Sequence, residues 1–238
     1  AGRVWRPENF GGEYGGPLTL RRALMRSANA ATVRLSQAVG AKRVAALAER
    51  SGIRSRMDAV PALALGAFEV TPLELAAAYG PFANGGVRVQ PYLVKRIEAA
   101  DGTVLWRARP PEPVRVLGRA EAFQITSMLQ SVVDGGTGRV LRNMGVRGPV
   151  AGKTGTTNNG ADVWFIGYTP TVVAAFWFGY DAPRPIAANA SGGRLAAPAW
   201  AMFFQNGWHE RSPSGAWNPP GDLVDRKIDA SNGMLSNE

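Results

Sequence analysis

Cysteine is absent and histidine occurs once, at His209. The first absence excludes a disulfide framework and any thiolate metal or redox centre, and a single histidine cannot build a histidine-rich metal site. No metal and no cofactor is therefore expected. Beside Trp208, His209 reads as a surface or rim residue, and its neighbours Gly207 and Glu210 give no sign of a Ser-His-Asp triad. No apolar run is long enough to span a membrane; "TVVAAFWFGY" reads as a strand. A signal peptide and an initiator Met are also missing from the start, "AGRVWRPENF". A processed chain or fragment is expected, with any targeting segment upstream. Lysine is scarce: of 27 basic residues only Lys42, Lys95, Lys153 and Lys227 are not arginine. Each lysine is correspondingly informative.

What is present suits one large domain with a proper core, since 238 residues with 45% apolar content exclude disorder. The net charge of +9 is uneven, because residues 1–60 carry eleven Arg and Lys against four Asp and Glu, +7 of the total. That basic block suits an anionic polymer or lipid headgroups. Without an aromatic-interleaved basic stripe, no nucleic-acid partner is expected.

Residues 1–18, rich in Gly, Pro and aromatics, read as an irregular lead-in. Thr19 reads as a helix cap, Gly40 and Gly52 as the ends of two helical segments, and Thr71, Pro72 and Glu74 as the capping box of another helix. Two strands joined at Asp101-Gly102 form a hairpin. Ala122, Ile125, Leu129, Val132 and Val133 then fall at helical spacing. The strand "PVAGKTGT" and a hairpin of "ADVWFIGY" with "TVVAAFWFGY" follow. The expected fold class is α/β of the α+β type, an antiparallel sheet covered by helices.

The segment "AGKTGTTNNGADVWFIGYTP" places a lysine and two threonines where a strand begins. Gly, Thr and Asn are ordinary turn formers, so the segment can be a simple loop. A phosphate loop is rejected: the glycine it requires five positions before Gly152 is Arg147, and a strand period follows where a helix should open. The remaining reading is a strand edge that binds a carboxylate, with charge from Lys153 and hydroxyls from Thr154 and Thr156. As a strand residue Lys153 is expected to face solvent. Upstream, "RSANAATVRL" sets Ser27 and Asn29 two apart where good helix formers stop. Alone, these residues read as a helix terminus and the next helix's cap.

Ser-x-Asn followed 126 positions later by Lys-Thr-Gly-Thr is a more specific pattern, shared by serine β-lactamases and penicillin-binding proteins. The sequence resembles the transpeptidase domain of bifunctional (class A) penicillin-binding proteins. The segments "YGGPLTLRRALMRSANAATVRL", "LALGAFEVTPLELAAAYGPFANGGVRVQPYLV", "TSMLQSVVDGGTGR" and "AGKTGTTNNGADVWFIGYTP" look like that family's, in its order. No E-x-x-L-N stretch of a class A β-lactamase is present. The resemblance implies a D,D-transpeptidase that cross-links peptidoglycan stem peptides through a serine acyl-enzyme and binds β-lactams. It implies a periplasmic or extracytoplasmic location, an anchor segment outside this chain, and cell-wall synthesis proteins as further partners. By position, it makes Ser27, Asn29 and Lys153 catalytic: Ser27 relays protons, Asn29 bonds the substrate backbone and helps position the lysine, and Lys153 attracts the terminal carboxylate. Thr154, Gly155 and Thr156 become substrate-binding, with the Thr156 N–H as an oxyanion donor.

The family's Ser-x-x-Lys nucleophile is missing. Three residues after Ser27, Ser36, Ser55, Ser127 and Ser131 stand Ala30, Val39, Asp58, Gln130 and Asp134, and after Ser51 and Ser191 come Arg54 and Arg194, which cannot act as a base. Either the sequence begins downstream of the nucleophile helix, or this is a non-catalytic binding or scaffold module of the cell wall. On the first alternative, residues 1–238 are the C-terminal part of the domain, with 217–238 an extended tail. The chain alone is then inactive and exposes apolar surface where the absent helix would pack.

Overall fold

The computed structural model describes residues 5–12, 14–109, 111–208, 215–229 and 233–236. His209 lies outside them. Helix α1 (Leu20–Arg26) starts at Thr19, whose hydroxyl accepts the Arg22 N–H at 3.2 Å. It ends after seven residues, and α2 (Asn29–Val39) and α3 (Ala41–Ser51) follow, closed by Gly40 and Gly52. Arg21 pins α1 to a later helix, α5 (Arg119–Gly135), donating to the Ser127 carbonyl at 2.7 Å and to the Ser131 and Ser127 hydroxyls at 2.9 and 3.0 Å.

Helix α4 (Pro72–Ala83) has the full capping box: Thr71 Oγ1 accepts the Glu74 N–H at 3.2 Å, and the Glu74 carboxylate accepts the Thr71 N–H at 3.1 Å. That carboxylate also takes the Ser55 hydroxyl and the N–H groups of Arg54 and Ser55. Led by the Ser55 hydroxyl, these donors lower its pKa to about 2 and tie the end of α3 to the start of α4. The Asp101-Gly102 hairpin joins β1 (Arg96–Glu98) and β2 (Val104–Arg107), with Gly102 at φ 85 and Asp101 accepting the Thr103 N–H at 2.9 Å.

The central sheet has the order β3 (Ala151–Thr156), β4 (Val163–Tyr168), β5 (Val173–Phe178), antiparallel throughout. Register puts Ala151, Lys153 and Gly155 opposite Tyr168, Ile166 and Trp164 on one face, and Gly152, Thr154 and Thr156 opposite Gly167, Phe165 and Val163 on the other. Ala151 and Tyr168 pack with Ala83 of α4 and with Leu129 and Val132 of α5. Phe165 packs on the other face against Trp200 of α7 (Ala196–Phe203).

Strand β4 is covered on both faces. Only Trp164 is more than slightly exposed, because helices cover both faces. Gly152 is required by this packing, since a Cβ there would lie 2.6 Å from the Phe165 ring and 2.7 Å from the Ile166 carbonyl. Helix α7, with the sequence AAPAWAMF, has no counterpart in the sequence reading. The tail after residue 215 is held by Trp217, which donates to the Ala83 carbonyl at 2.8 Å and packs its ring on Tyr168. Among the described residues no helix is long and apolar enough to cross a membrane.

Candidate active site

The end of α1 builds the first half of the site. Ser27 caps the helix in the left-handed conformation (φ 55, ψ 47), and the N–H groups of Ser27 and Ala28 close it on the Leu24 and Ala23 carbonyls at 3.1 and 2.9 Å. Glycine normally takes this position, because a Cβ there costs about 1–2 kcal/mol. Only two described non-glycine residues have positive φ, Ser27 and Asn189. In this conformation the Ser27 hydroxyl meets Lys153 of β3.

Strand β3 supplies the second half. Lys153 Nζ donates to Ser27 Oγ at 2.8 Å, across 126 residues of chain, and to the Thr154 carbonyl at 2.9 Å. The expectation of a solvent-facing Lys153 is corrected in part: the residue is half-buried, and its ammonium is turned onto Ser27 and the Thr154 carbonyl. Desolvation lowers its pKa from 10.5 to about 8. A compact ammonium near neutrality can exchange a proton with a neighbouring hydroxyl and still attract an anion.

Asn29 is placed differently. It is the first residue of α2, whose cap position is Ala28, so its side chain is not that helix's cap. Its Nδ2 donates to the Glu8 carbonyl at 2.7 Å, and Asn9 Oδ1 accepts the Ala30 N–H at 3.1 Å. The lead-in segment thus caps α2 and fixes the Asn29 amide. Lys153 bonds Ser27 and Thr154 but not Asn29.

The threonines divide by exposure. Thr156 is exposed, and its Oγ1 accepts the Gly192 N–H at 3.0 Å, leaving its own proton to donate outward. Thr154 is buried, with its hydroxyl 2.6 Å from that of Thr137. Main-chain directions follow from the turn: the Thr157 N–H bonds the Asp162 carbonyl, so in an antiparallel ladder residues 155 and 153 also bond toward β4. The N–H of Thr156 and the carbonyl of Thr154 then point to the outer edge, beside Lys153. At Gly155 a Cβ would crowd Trp164 Cβ at 3.2 Å.

The structure thus brings Ser27, Lys153 and the edge groups of Thr154 and Thr156 together, and places Asn29 two residues from Ser27, bonded elsewhere. Sequence reasoning missed Thr137, Gly192, Glu8 and Asn9. "DGGTGR" was visible as a family-like segment, but no spacing ties Thr137 to Thr154. Among the described residues no group of three or more His, Asp and Glu could hold a metal ion.

A serine cap bonded to a strand lysine, on an antiparallel sheet enclosed by helices, frames the candidate site. Residues 3–204 match the family model of the penicillin binding protein transpeptidase domain, and the chain belongs to that family. It is 33% identical over 254 residues to penicillin-binding protein 1A of Rickettsia bellii, covering 98% of this chain and 32% of that protein. It is 33% identical over 283 residues to penicillin-binding protein 1A of Pseudomonas aeruginosa, covering 97% and 34%. The chain therefore spans about a third of the length of these curated relatives. Among solved structures, penicillin-binding protein 1A of Haemophilus influenzae superposes with a TM-score of 0.93 at 29% identity, over 100% of this chain and 41% of that one. The PonA1 protein of Mycobacterium tuberculosis, in complex with penicillin V, shares the fold at TM-score 0.72 and 23% identity, over 96% of this chain and 64% of that one.

Proposed function

We propose that this chain supplies the proton-relay and carboxylate-binding half of a peptidoglycan D,D-transpeptidase site that also binds β-lactams, in a protein working outside the cytoplasmic membrane. The observation that carries this reading is the 2.8 Å contact between Lys153 Nζ and Ser27 Oγ. Serine acylation needs a nucleophile, a proton path to the leaving nitrogen and donors for the developing oxyanion. The Lys153–Ser27 contact supports reading such a path in this chain, and the outward Thr156 N–H supports reading a donor; a Ser-x-x-Lys serine is not among its residues.

That serine's oxygen attacks the carbonyl carbon of the penultimate D-alanine, and the bond to the terminal D-alanine breaks. The proton of the attacking hydroxyl passes by way of Lys153 and Ser27 to the departing amine. An amine from a second stem then attacks the ester, gives up its proton by the same path, and restores the serine. Lys153 and the Thr156 hydroxyl hold the terminal carboxylate, and the outward Thr156 N–H serves the oxyanion. Thr154, turned toward Thr137, acts from behind the strand.

The missing Ser-x-x-Lys favours a second reading, a non-catalytic cell-wall binding module of the same fold. Labelling with a fluorescent penicillin separates the two. The chain alone is expected to form no adduct that survives denaturation. Joined to a Ser-x-x-Lys segment of the family, it is expected to label at that segment's serine. A binding module would hold stem peptides in both forms and acylate in neither, and an adduct mapped to Ser27 would show that Ser27 is itself the nucleophile.

A further inference from the structure

We propose that Thr137 is a positioning residue of this site, setting the gap between Ser27 and Lys153 by joining the two backbone segments that carry them. Resting on the reading of Ser27 and Lys153 as the reaction centre, it adds a residue outside the Ser-x-Asn and Lys-Thr-Gly-Thr motifs. Thr137 lies in the glycine-rich turn after α5. Its N–H donates to the Met25 carbonyl at 3.2 Å, two residues before Ser27, and its hydroxyl meets the Thr154 hydroxyl at 2.6 Å, one residue after Lys153. Thr154 is the same residue whose carbonyl receives the Lys153 ammonium. One residue thus bonds the end of α1 on one side and the edge strand on the other.

The turn has no slack. A Cβ on Gly136 would run into the Met25 carbonyl and lie 2.8 Å from Met25 Cγ and 2.9 Å from Val132 Cα. A Cβ on Gly193 would lie 2.8 Å from the Thr137 carbonyl. The turn is therefore pressed between α1, α5 and the loop that also donates to Thr156 through Gly192. Thr154 is 9% exposed and Thr137 lies at the surface, so the bond ties a buried strand hydroxyl to an exposed turn. Hydroxyl pairs polarise each other, and reacting groups displaced by about 1 Å lose about a hundredfold in rate.

The test compares Thr137→Val, which keeps shape and the N–H but removes the hydroxyl, with Thr137→Ser, which restores it. Both are made in the chain joined to a Ser-x-x-Lys segment, with Lys153→Ala as reference. Acylation by fluorescent penicillin is measured against pH and normalised to the folded fraction from thermal melting. Thr137→Val is expected to acylate about ten- to a hundredfold more slowly per folded molecule. Its alkaline limb should move up in pH as Lys153 becomes better hydrated, and Thr137→Ser should recover most of the rate. The proposal is overturned if Thr137→Val matches the parent per folded molecule, or if Thr137→Ser is as slow as Thr137→Val. If Lys153→Ala also acylates normally, the reaction centre itself is misassigned; if only Lys153→Ala is impaired, the failure belongs to Thr137 alone.

Discussion

Replacing Lys153 with alanine is expected to lower acylation and stem-peptide cross-linking by one to two orders of magnitude or more, in the chain joined to a Ser-x-x-Lys segment of the family. The substitution removes the charge that meets the terminal carboxylate, and a hydrogen bond to a charged group contributes about 1.5–3 kcal/mol. It also removes the proton partner of Ser27, so binding and chemistry weaken together. Stability should change little: a desolvated ammonium is costly to bury, which offsets the two bonds it makes to Ser27 and Thr154. A folded variant that cross-links at the parental rate, read by product analysis beside a melting curve, would reduce Lys153 to a scaffold residue.

Ser27 should show stability and rate moving in opposite directions. At φ 55 it carries the left-handed strain, about 1–2 kcal/mol, that glycine does not. Glycine's greater unfolded-state freedom takes back about 0.5–1 kcal/mol, so Ser27→Gly is expected to stabilise the chain by about 0.5–1 kcal/mol. The same substitution deletes the hydroxyl on Lys153 and should slow acylation by about two orders of magnitude, the scale for a lost proton-transfer group. Ser27→Ala should match that loss of rate without the gain in stability. A helix cap without chemistry predicts that Ser27→Gly is both more stable and fully active. Melting temperature and acylation rate on the same preparations decide between them.

The parts of the fold legible in the sequence are those with a local cause. Thr71 and Glu74 announce the start of α4 because their reciprocal bonds close within one turn, and Asp101-Gly102 announces its hairpin because the turn requires a positive φ. Helix α7 was not legible: an apolar run buried through Ala196, Ala197, Trp200 and Ala201 has no polar face to set a helical period. The strand period of β4 was legible, but not that both its faces are covered by helices far away in sequence.

The site divides the same way. Ser27, Asn29 and Lys153 stood out through family-like motifs, and the structure joins two of them directly. The half-burial of Lys153 and its bond to Ser27 were not legible, because the end of α1 meets β3 only in three dimensions. Thr137 and Asn9 act through bonds 17 and 21 residues apart, which no local pattern encodes.

The most direct measurement is the titration of Lys153 itself, by carbon-13 NMR of the chain carrying labelled lysine. Only Lys42, Lys95, Lys153 and Lys227 contribute, and Lys153→Ala assigns the resonance by its loss. A lysine pKa lowered by folding means that the unfolded chain binds more protons between about 8 and 10.5, so folding stability should rise with pH across that window. The predicted result is that the resonance lost in Lys153→Ala titrates with a midpoint near 8, and that Ser27→Ala moves it. A Lys153 midpoint near 10.5, insensitive to Ser27, would contradict the desolvated Ser27–Lys153 centre on which the proposed function rests.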